Sequence, residues 1–85
     1  MYVVMVYDVA VDRVAKALKI GRKYLTWVQN SVLEGELSPA QFAQLKAELR
    51  RALEESDSVR FYILREGSFR VEVLGTSKNE PSQFI

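Results

Sequence analysis

The chain has 85 residues, of which 48% are hydrophobic and 27% charged, and its 12 Lys and Arg nearly balance its 11 Asp and Glu. This length and composition indicate one ordinary globular domain. The near-neutral charge argues against non-specific binding of nucleic acid through overall basicity, although a local basic patch stays open. The chain lacks Cys and His, which excludes disulfides, thiolate zinc sites and nucleophiles activated by His. Any catalysis would use carboxylates, Lys, Tyr, Ser or a bound metal.

The N-terminal residues have the pattern of a strand and not that of a signal peptide. No apolar run approaches the roughly 20 residues that a membrane span needs. We therefore expect a cytoplasmic protein that has no contact with a membrane.

The first predicted element is a strand over residues 2–7 of the stretch YVVMVYD, with Asp8 at its tip. Its continuous apolar run is typical of a central strand buried on both faces. Asp8 ends the strand and either caps the next turn, pairs with Arg13, or binds a cation such as Mg²⁺, which needs only one or two protein carboxylates. In a two-fold dimer, two Asp8 residues could share one cation and activate water for attack on a phosphodiester. Tyr7 is either a core aromatic or a residue that contacts nucleic acid.

A helical pattern follows Asp12, with apolar residues at spacings of three and four. No acid occurs between Arg13 and Tyr24. The basic residues of this segment are Arg13, Lys16, Lys19, Arg22 and Lys23. They form either a solvated face or a surface that contacts phosphate.

Two short strands are predicted near residues 25–28 and 31–36, with Gln29 and Asn30 between them. Asn tolerates turn conformations, so we predict a tight hairpin or kink, with one long kinked strand as the alternative. Trp27 is expected in the core or at an interface in preference to stacking on a base.

Ser38, Pro39 and Gln41 form a capping box with Pro at the first helical position. An apolar stripe at helical spacing then predicts a second helix that runs to about Ser56.

A fourth strand is predicted over residues 59–64 and a fifth over residues 69–75, joined by a turn that contains Arg65. Arg65 is either plain loop charge or a contact to nucleic acid near a dimer seam. The fifth strand alternates, with Phe69, Val71 and Val73 on one side, which is typical of an edge or an interface.

This order predicts an α+β, ferredoxin-like βαββαβ fold with an extra C-terminal strand. Two helices would cover one face of an antiparallel sheet, and the bare apolar face would pair with a second copy as a homodimer. We expect residues 1–85 to form a single domain, in which the tail, residues 76–85, docks on the partner subunit. The fifth strand and the tail are the expected exchange elements of the dimer.

Three features in this order resemble the small CRISPR-associated endoribonuclease family, the second universal Cas protein of the spacer-acquisition module. They are the strand YVVMVYD, the basic first helix beginning at Arg13, and the segment VQNSVLE at residues 28–34, followed by the capped second helix. The resemblance covers the whole chain. It departs from the family pattern at Leu33, where many members have Phe and where we expect a conservative core change. It departs also at Trp27, where some members have Arg, and this removes a possible phosphate contact and implies a weaker nuclease.

The resemblance implies a ferredoxin-like homodimer whose last strand completes the partner's sheet. It implies a metal-dependent nuclease for RNA or double-stranded DNA, with Asp8 as catalytic residue and metal ligand and with Mg²⁺, or Mn²⁺ in its place, as cofactor. The predicted nucleic-acid contacts are Tyr7, Arg13, Lys16 and Arg65. It also implies a bridging role between dimers of the CRISPR integrase.

Two other functions stay open. The first is a structural adaptor in the integrase complex that has no physiological nuclease activity. The second is a metabolite-sensing domain, since the ferredoxin-like fold supports many functions.

Overall fold

The computed structural model describes residues 1–76. Its seven elements have the order βαββαββ. They are β1 (Tyr2–Asp8), α1 (Val14–Gly21), β2 (Thr26–Gln29), β3 (Val32–Glu36), α2 (Pro39–Ala52), β4 (Ser58–Arg65) and β5 (Ser68–Gly75). The predicted α+β class and order of elements are confirmed. The predicted tail lies outside the described residues from position 77 onward.

The five strands form one sheet in the order β2-β3-β1-β4-β5, and each neighbouring pair is antiparallel. Strand β1 lies at the centre, where Met5 is opposite Leu33 of β3 and Phe61 of β4. Strand β5 lies at the edge and pairs along its whole length with β4 of the same chain. This central position explains why β1 is the most continuously apolar strand.

Alternation divides the sheet into two unlike faces. One face carries Val3, Met5 and Tyr7 of β1, which are buried with residues from both helices in a single core. Within this core, the Phe42 and Phe61 rings meet edge to face with centroids 5.0 Å apart. The opposite face carries Val4, which is only partly buried. The expectation that β1 is covered on both faces therefore does not hold within one chain.

The connection between β2 and β3 is a hairpin, so the alternative of one kinked strand is wrong. Asn30 has a φ of 41° at the turn, and β2 contains a bulge between Trp27 and Gln29. Leu33 is fully buried in β3, which confirms the expectation of a conservative core change at this position.

The capping box of α2 is present as predicted. The Ser38 hydroxyl accepts a hydrogen bond from the Gln41 backbone N–H at 3.1 Å, and the Gln41 side chain accepts one from the Ser38 N–H at 2.9 Å. The predicted end near Ser56 is wrong, because α2 ends at Ala52. Leu53 adopts extended backbone with φ −103° and ψ 160°, which frees the following residues to form a turn.

In the part of the chain from residue 1 to residue 76, no helix is long and apolar enough to cross a membrane.

The end of β5 packs closely against the turn that precedes β4. Gly75 has a φ of 79°, and a Cβ atom there would collide with the carbonyl oxygen of Asp57. Gly67 has a similar φ of 75°, but a Cβ atom there would meet open space. The two glycines therefore separate the cost of backbone strain from the cost of a steric clash.

We predict that Gly67→Ala lowers the free energy of unfolding by about 1 kcal/mol, the cost of left-handed backbone. Gly75→Ala should lower it by roughly 3 kcal/mol or more, because the clash adds to the strain. Urea unfolding of both variants at one protein concentration measures the difference. Equal losses would contradict the close approach of β5 to the Asp57 turn.

Candidate functional site

Asp8 ends β1 as an exposed residue on the sheet face that the helices leave open, opposite Ser58 of β4. Its position follows from the strand pattern, because Asp8 has the same parity as Val4 and Val6 and therefore shares their face. A carboxylate at the tip of the central strand is thus accessible to solvent and borders an apolar surface.

Tyr7 points the other way, into the core under the helices, and is 4% exposed. Burial raises the pKa of its phenol, against a hydrogen bond with the Ser31 side chain that lowers it. The structure therefore places Tyr7 as a core aromatic. Its predicted contact with nucleic acid stays a prediction, and it would require the side chain to leave this position.

A second carboxylate, that of Asp57, lies in the turn between α2 and β4, directly before Ser58, the residue opposite Asp8. Asp57 is 3% exposed and forms a two-pronged ion pair with Arg13, with Nε to Oδ2 at 2.6 Å and Nη2 to Oδ1 at 3.0 Å. Its oxygens also accept hydrogen bonds from the backbone N–H groups of Ala10 at 3.0 Å and Glu54 at 2.9 Å. No side-chain polar atom buried within residues 1–76 lacks a partner.

These four hydrogen bonds join two loops that are distant in sequence. Arg13 and Ala10 belong to the loop that follows Asp8, and Glu54 belongs to the turn after α2. The hydrogen bond from Arg13 is the largest cause that holds the pKa of Asp57 well below its usual range, assisted by the two backbone donors and opposed by burial. Asp57 is therefore ionised at neutral pH, and it fixes the loop that leaves the candidate site.

Arg13 therefore forms its ion pair with Asp57. Its Nη1 also has a longer contact with Oδ2 of Asp12, at 3.4 Å. This geometry gives Arg13 a positioning role for the loop after Asp8. Its predicted contact with phosphate stays a prediction. Such a contact would have to use a guanidinium whose Nε and Nη2 groups already bind the Asp57 carboxylate.

The other two predicted contacts lie at different places. Lys16 is exposed on the first half of α1, which begins beyond the Asp8 loop. Arg65 ends β4 opposite the start of β1, since its neighbour Leu64 pairs with Tyr2. At about 3.3 Å per strand residue, Arg65 is roughly 20 Å from the Asp8 end of the same sheet. Within one chain, the structure does not bring Arg65 to Asp8.

Sequence reasoning missed Asp57. The residue stands in the segment EESDS, where nothing distinguishes it from Glu54 and Glu55. Its partner Arg13 is 44 residues away, so local spacing carries no signal. The one hint is that a buried strand begins directly after it, at Ser58, which places this acid close to the core.

The donor atoms for a cation are few. Within the residues that the structure describes, no group of three or more acidic side chains is arranged to hold a metal ion. Mg²⁺ needs only one or two carboxylates and keeps several waters. Asp8 fits that requirement as a single accessible ligand, and a second copy of the chain would supply another.

The open face beside Asp8 carries many apolar side chains, although Glu34, Glu36 and Arg60 lie on the same face. Its exposed and half-buried members come from β1, β4 and β5, and they include Val4, Val6, Tyr62, Leu64, Phe69, Val71 and Val73. The Tyr62 and Phe69 rings pair on this face with centroids 6.1 Å apart. Monomeric proteins seldom expose an apolar surface of this kind.

We predict that Asp57→Asn lowers the free energy of unfolding at pH 7 by roughly 2–3 kcal/mol, the value of hydrogen bonds to a charged group. Because the folded-state pKa of Asp57 is depressed, its contribution is present above the ordinary aspartate pKa of about 3.9 and disappears as pH falls below it. Urea unfolding from pH 7 down to pH 2 should therefore show a flatter acid limb for the variant.

Asp12→Asn is the matched control, because Asp12 has an exposed carboxylate that also contacts Arg13. Its stability should stay close to that of the parent at every pH. A parallel acid limb for Asp57→Asn and the parent protein would show that another carboxylate dominates the acid sensitivity.

Comparison with known proteins gives consistent matches. Residues 1–71 match the sequence model of the family described as CRISPR associated protein Cas2. The chain is 60% identical over 82 residues to the CRISPR-associated endoribonuclease Cas2 of Thermotoga maritima, with 94% of each chain covered. It is 49% identical over 87 residues to the protein of the same name from Dictyoglomus turgidum, with both chains fully covered.

Solved structures agree with this result. A crystal structure of a Cas2 protein superposes with a TM-score of 0.75 at 48% identity, covering 94% of this chain and 92% of that one. The crystal structure of Streptococcus pyogenes Cas2 at pH 6.5 superposes with a TM-score of 0.70 at 35% identity, covering 79% and 89%. The extent and identity of these matches show that the chain belongs to the Cas2 family of CRISPR-associated proteins.

Proposed function

We propose that the chain is a metal-dependent endonuclease of CRISPR spacer acquisition, which cleaves phosphodiester bonds of RNA or double-stranded DNA as a homodimer. The observation that carries this proposal is the accessible Asp8 carboxylate at the end of the central strand, beside an open apolar face. The relatives from Thermotoga maritima and Dictyoglomus turgidum are named endoribonucleases, which supports RNA as one substrate.

The open face supports the proposed dimer. Val4 lies opposite Tyr62 of β4, and Val6 lies opposite Val32 of β3. Burying such a surface against a second copy is favourable at about 25 cal/mol per Å² of apolar area. A two-fold axis near the end of β1 would set the two Asp8 carboxylates opposite each other.

The cofactor that the family implies is Mg²⁺, for which Mn²⁺ would substitute, and Asp8 from each subunit would hold it. When bound, such an ion supplies an activated water and neutralises charge on the phosphate. The protein's own contribution is positional. Asp57 holds Arg13 and the loop after Asp8 in place, and this keeps the end of β1 in one geometry.

The nucleic acid would approach along the basic side chains near this end of the sheet. Lys16 is the predicted contact best placed for a phosphate, because it is exposed on the helix that follows the Asp8 loop. Arg65 would contact nucleic acid away from the scissile bond of its own subunit. Tyr7 and Arg13 are weaker candidates as direct contacts, since the core and Asp57 already engage them.

The sparse donor set favours a second candidate function. Each chain offers the single carboxylate of Asp8, and its described residues contain no cluster of three acids that could hold a metal ion. Such a site suits a weak nuclease or no nuclease. In that case the dimer serves as a structural adaptor that bridges the CRISPR integrase and binds its DNA. This part of the proposal is supported by family membership.

We predict that Val4→Lys shifts the protein from dimer to monomer, because it places a charge at the centre of the apolar face. Sedimentation velocity over a range of protein concentrations measures the shift. Ala43→Lys, on the exposed side of α2, is the matched control and should remain dimeric. A monomeric parent protein, or a dimeric Val4→Lys variant, would contradict the assignment of this face.

We predict that Asp8→Asn reduces cleavage at least about a hundredfold, as expected when an essential ligand of a catalytic metal is lost. Single-stranded RNA and duplex DNA are incubated with the purified dimer and Mg²⁺, Mn²⁺ or EDTA, and products are resolved on denaturing gels. Asp12→Asn is the charge-matched control and should cleave like the parent.

Two outcomes decide between the candidate functions. Cleavage that needs metal and disappears in Asp8→Asn supports the endonuclease. If the parent and Asp8→Asn proteins are equally inert while both bind duplex DNA, the adaptor function is supported instead. Cleavage that persists unchanged in Asp8→Asn excludes the assignment of Asp8.

A further inference from the structure

A basic and aromatic patch lies on the opposite face of the sheet from Asp8, where the end of α1 meets the edge strand β2. We define the Trp27 patch as Lys19, Arg22, Trp27 and Val28. Trp27 pairs with Leu33 and so points to the helix side of the sheet, yet its side chain is 46% exposed, and Val28 is 51% exposed. The only tryptophan of the chain is thus about half exposed.

The indole is held in place although it is exposed. Its Nε1–H donates a hydrogen bond to the Asn30 carbonyl at 2.9 Å, across the hairpin turn. The Arg22 guanidinium lies over the ring, 5.9 Å from the centroid. A large aromatic surface that is both exposed and preorganised costs little conformational entropy when it binds a ligand.

Three cations lie along α1 and lead to Arg22, the one that contacts the indole. Lys16, Lys19 and Arg22 are exposed along α1 and its C-terminal end, spaced so that they span about 9 Å of the helix axis. Within residues 1–76, no acidic side chain forms an ion pair with any of the three. Their neighbour Lys23, by contrast, is paired with Glu48 at 2.6 Å.

The surface between these cations is concave. A depression of about 300 Å³ is lined by Ala15, Leu18, Lys19 and Arg22. Its floor is apolar and its rim carries two cations, and Arg22 connects it directly to the Trp27 ring. A ligand that fits here needs a flat apolar group next to a chain of negative charges.

We propose that the Trp27 patch binds single-stranded nucleic acid, with a base stacked on the Trp27 indole and the backbone phosphates beside Lys19 and Arg22. Aromatic stacking and a cationic track are the two components of single-strand binding, and both are present here. A duplex keeps its bases stacked inside and would use the cations without the indole. An acidic peptide would likewise leave the exposed ring without a matching group.

The inference rests on the proposed function for its ligand class, but it concerns a different site. Asp8 lies on the open face of the sheet and Trp27 faces the helix side. The patch would therefore hold a single-stranded arm of the substrate or product away from the scissile bond. Binding here requires neither the metal nor Asp8.

The single tryptophan allows a direct test. The full-length protein in EDTA, which prevents metal-dependent cleavage, is titrated with a 12-nucleotide oligouridine while tryptophan emission is followed. We expect saturable quenching, because all tryptophan emission comes from Trp27 and a base stacked on its indole would quench it. The quenching should weaken with added salt, because salt screens the phosphate contacts. A duplex DNA of the same length should bind without comparable quenching.

Substitutions then assign the contacts, with affinity measured by fluorescence anisotropy of a labelled oligouridine. Trp27→Leu should weaken binding roughly 5- to 100-fold, and Trp27→Phe should recover part of the loss. Lys19→Gln should reduce the slope of log affinity against log salt by about 0.7, the value for one phosphate contact to a single strand. Arg50→Gln, an exposed cation on α2, is the charge-matched control and should change neither quantity beyond general electrostatics.

Several results would overturn the inference. Unchanged emission at a saturating oligonucleotide concentration, or Trp27→Leu binding as tightly as the parent with native circular dichroism, would exclude stacking on Trp27. Emission that responds to protein dilution and not to oligonucleotide would identify the patch as a protein interface. Cleavage by Asp8 is measured separately, so loss of one activity leaves the other to be judged by its own assay.

Discussion

The carboxylate of Asp57 accepts hydrogen bonds from the Arg13 side chain and from the backbones of Ala10 and Glu54, inside a molecule where it is almost fully buried. A buried charge is tolerated only when it is paired and fully hydrogen-bonded. The loop after Asp8 and the turn after α2 must therefore keep this arrangement together. The end of β5 packs against the same turn, because the Thr76 N–H donates a hydrogen bond to the Asp57 carbonyl and Gly75 lies against that carbonyl.

This constraint explains why the candidate site stands on a rigid base although it is exposed. Asp8 is part of the central strand, and the chain that leaves it is fixed within a few residues by the ion pair of Arg13 with Asp57. A carboxylate on a rigid element can meet a symmetry-related copy reproducibly. Catalysis and metal binding both depend on such preorganisation.

The two faces of the sheet separate two kinds of surface. The helix side is closed by an apolar core, and its exposed margin carries the cations of α1 together with Trp27. The other side is open and apolar, with Asp8 at one end. In the proposed dimer the open faces are buried together. The basic margins then remain outside on each subunit, available to nucleic acid.

The sequence predicted those features that depend on residues close together along the chain. The periods of the strands and helices, the Ser38 capping box and the turn at Asn30 depend on residues a few positions apart, and they determined the element order and the place of Asp8 at a strand end. Only the tertiary structure decided the partner of Arg13, the burial of Tyr7 and the distance of Arg65 from Asp8. Those facts depend on contacts such as that between Arg13 and Asp57, 44 residues apart, for which the local sequence carries no periodic signal.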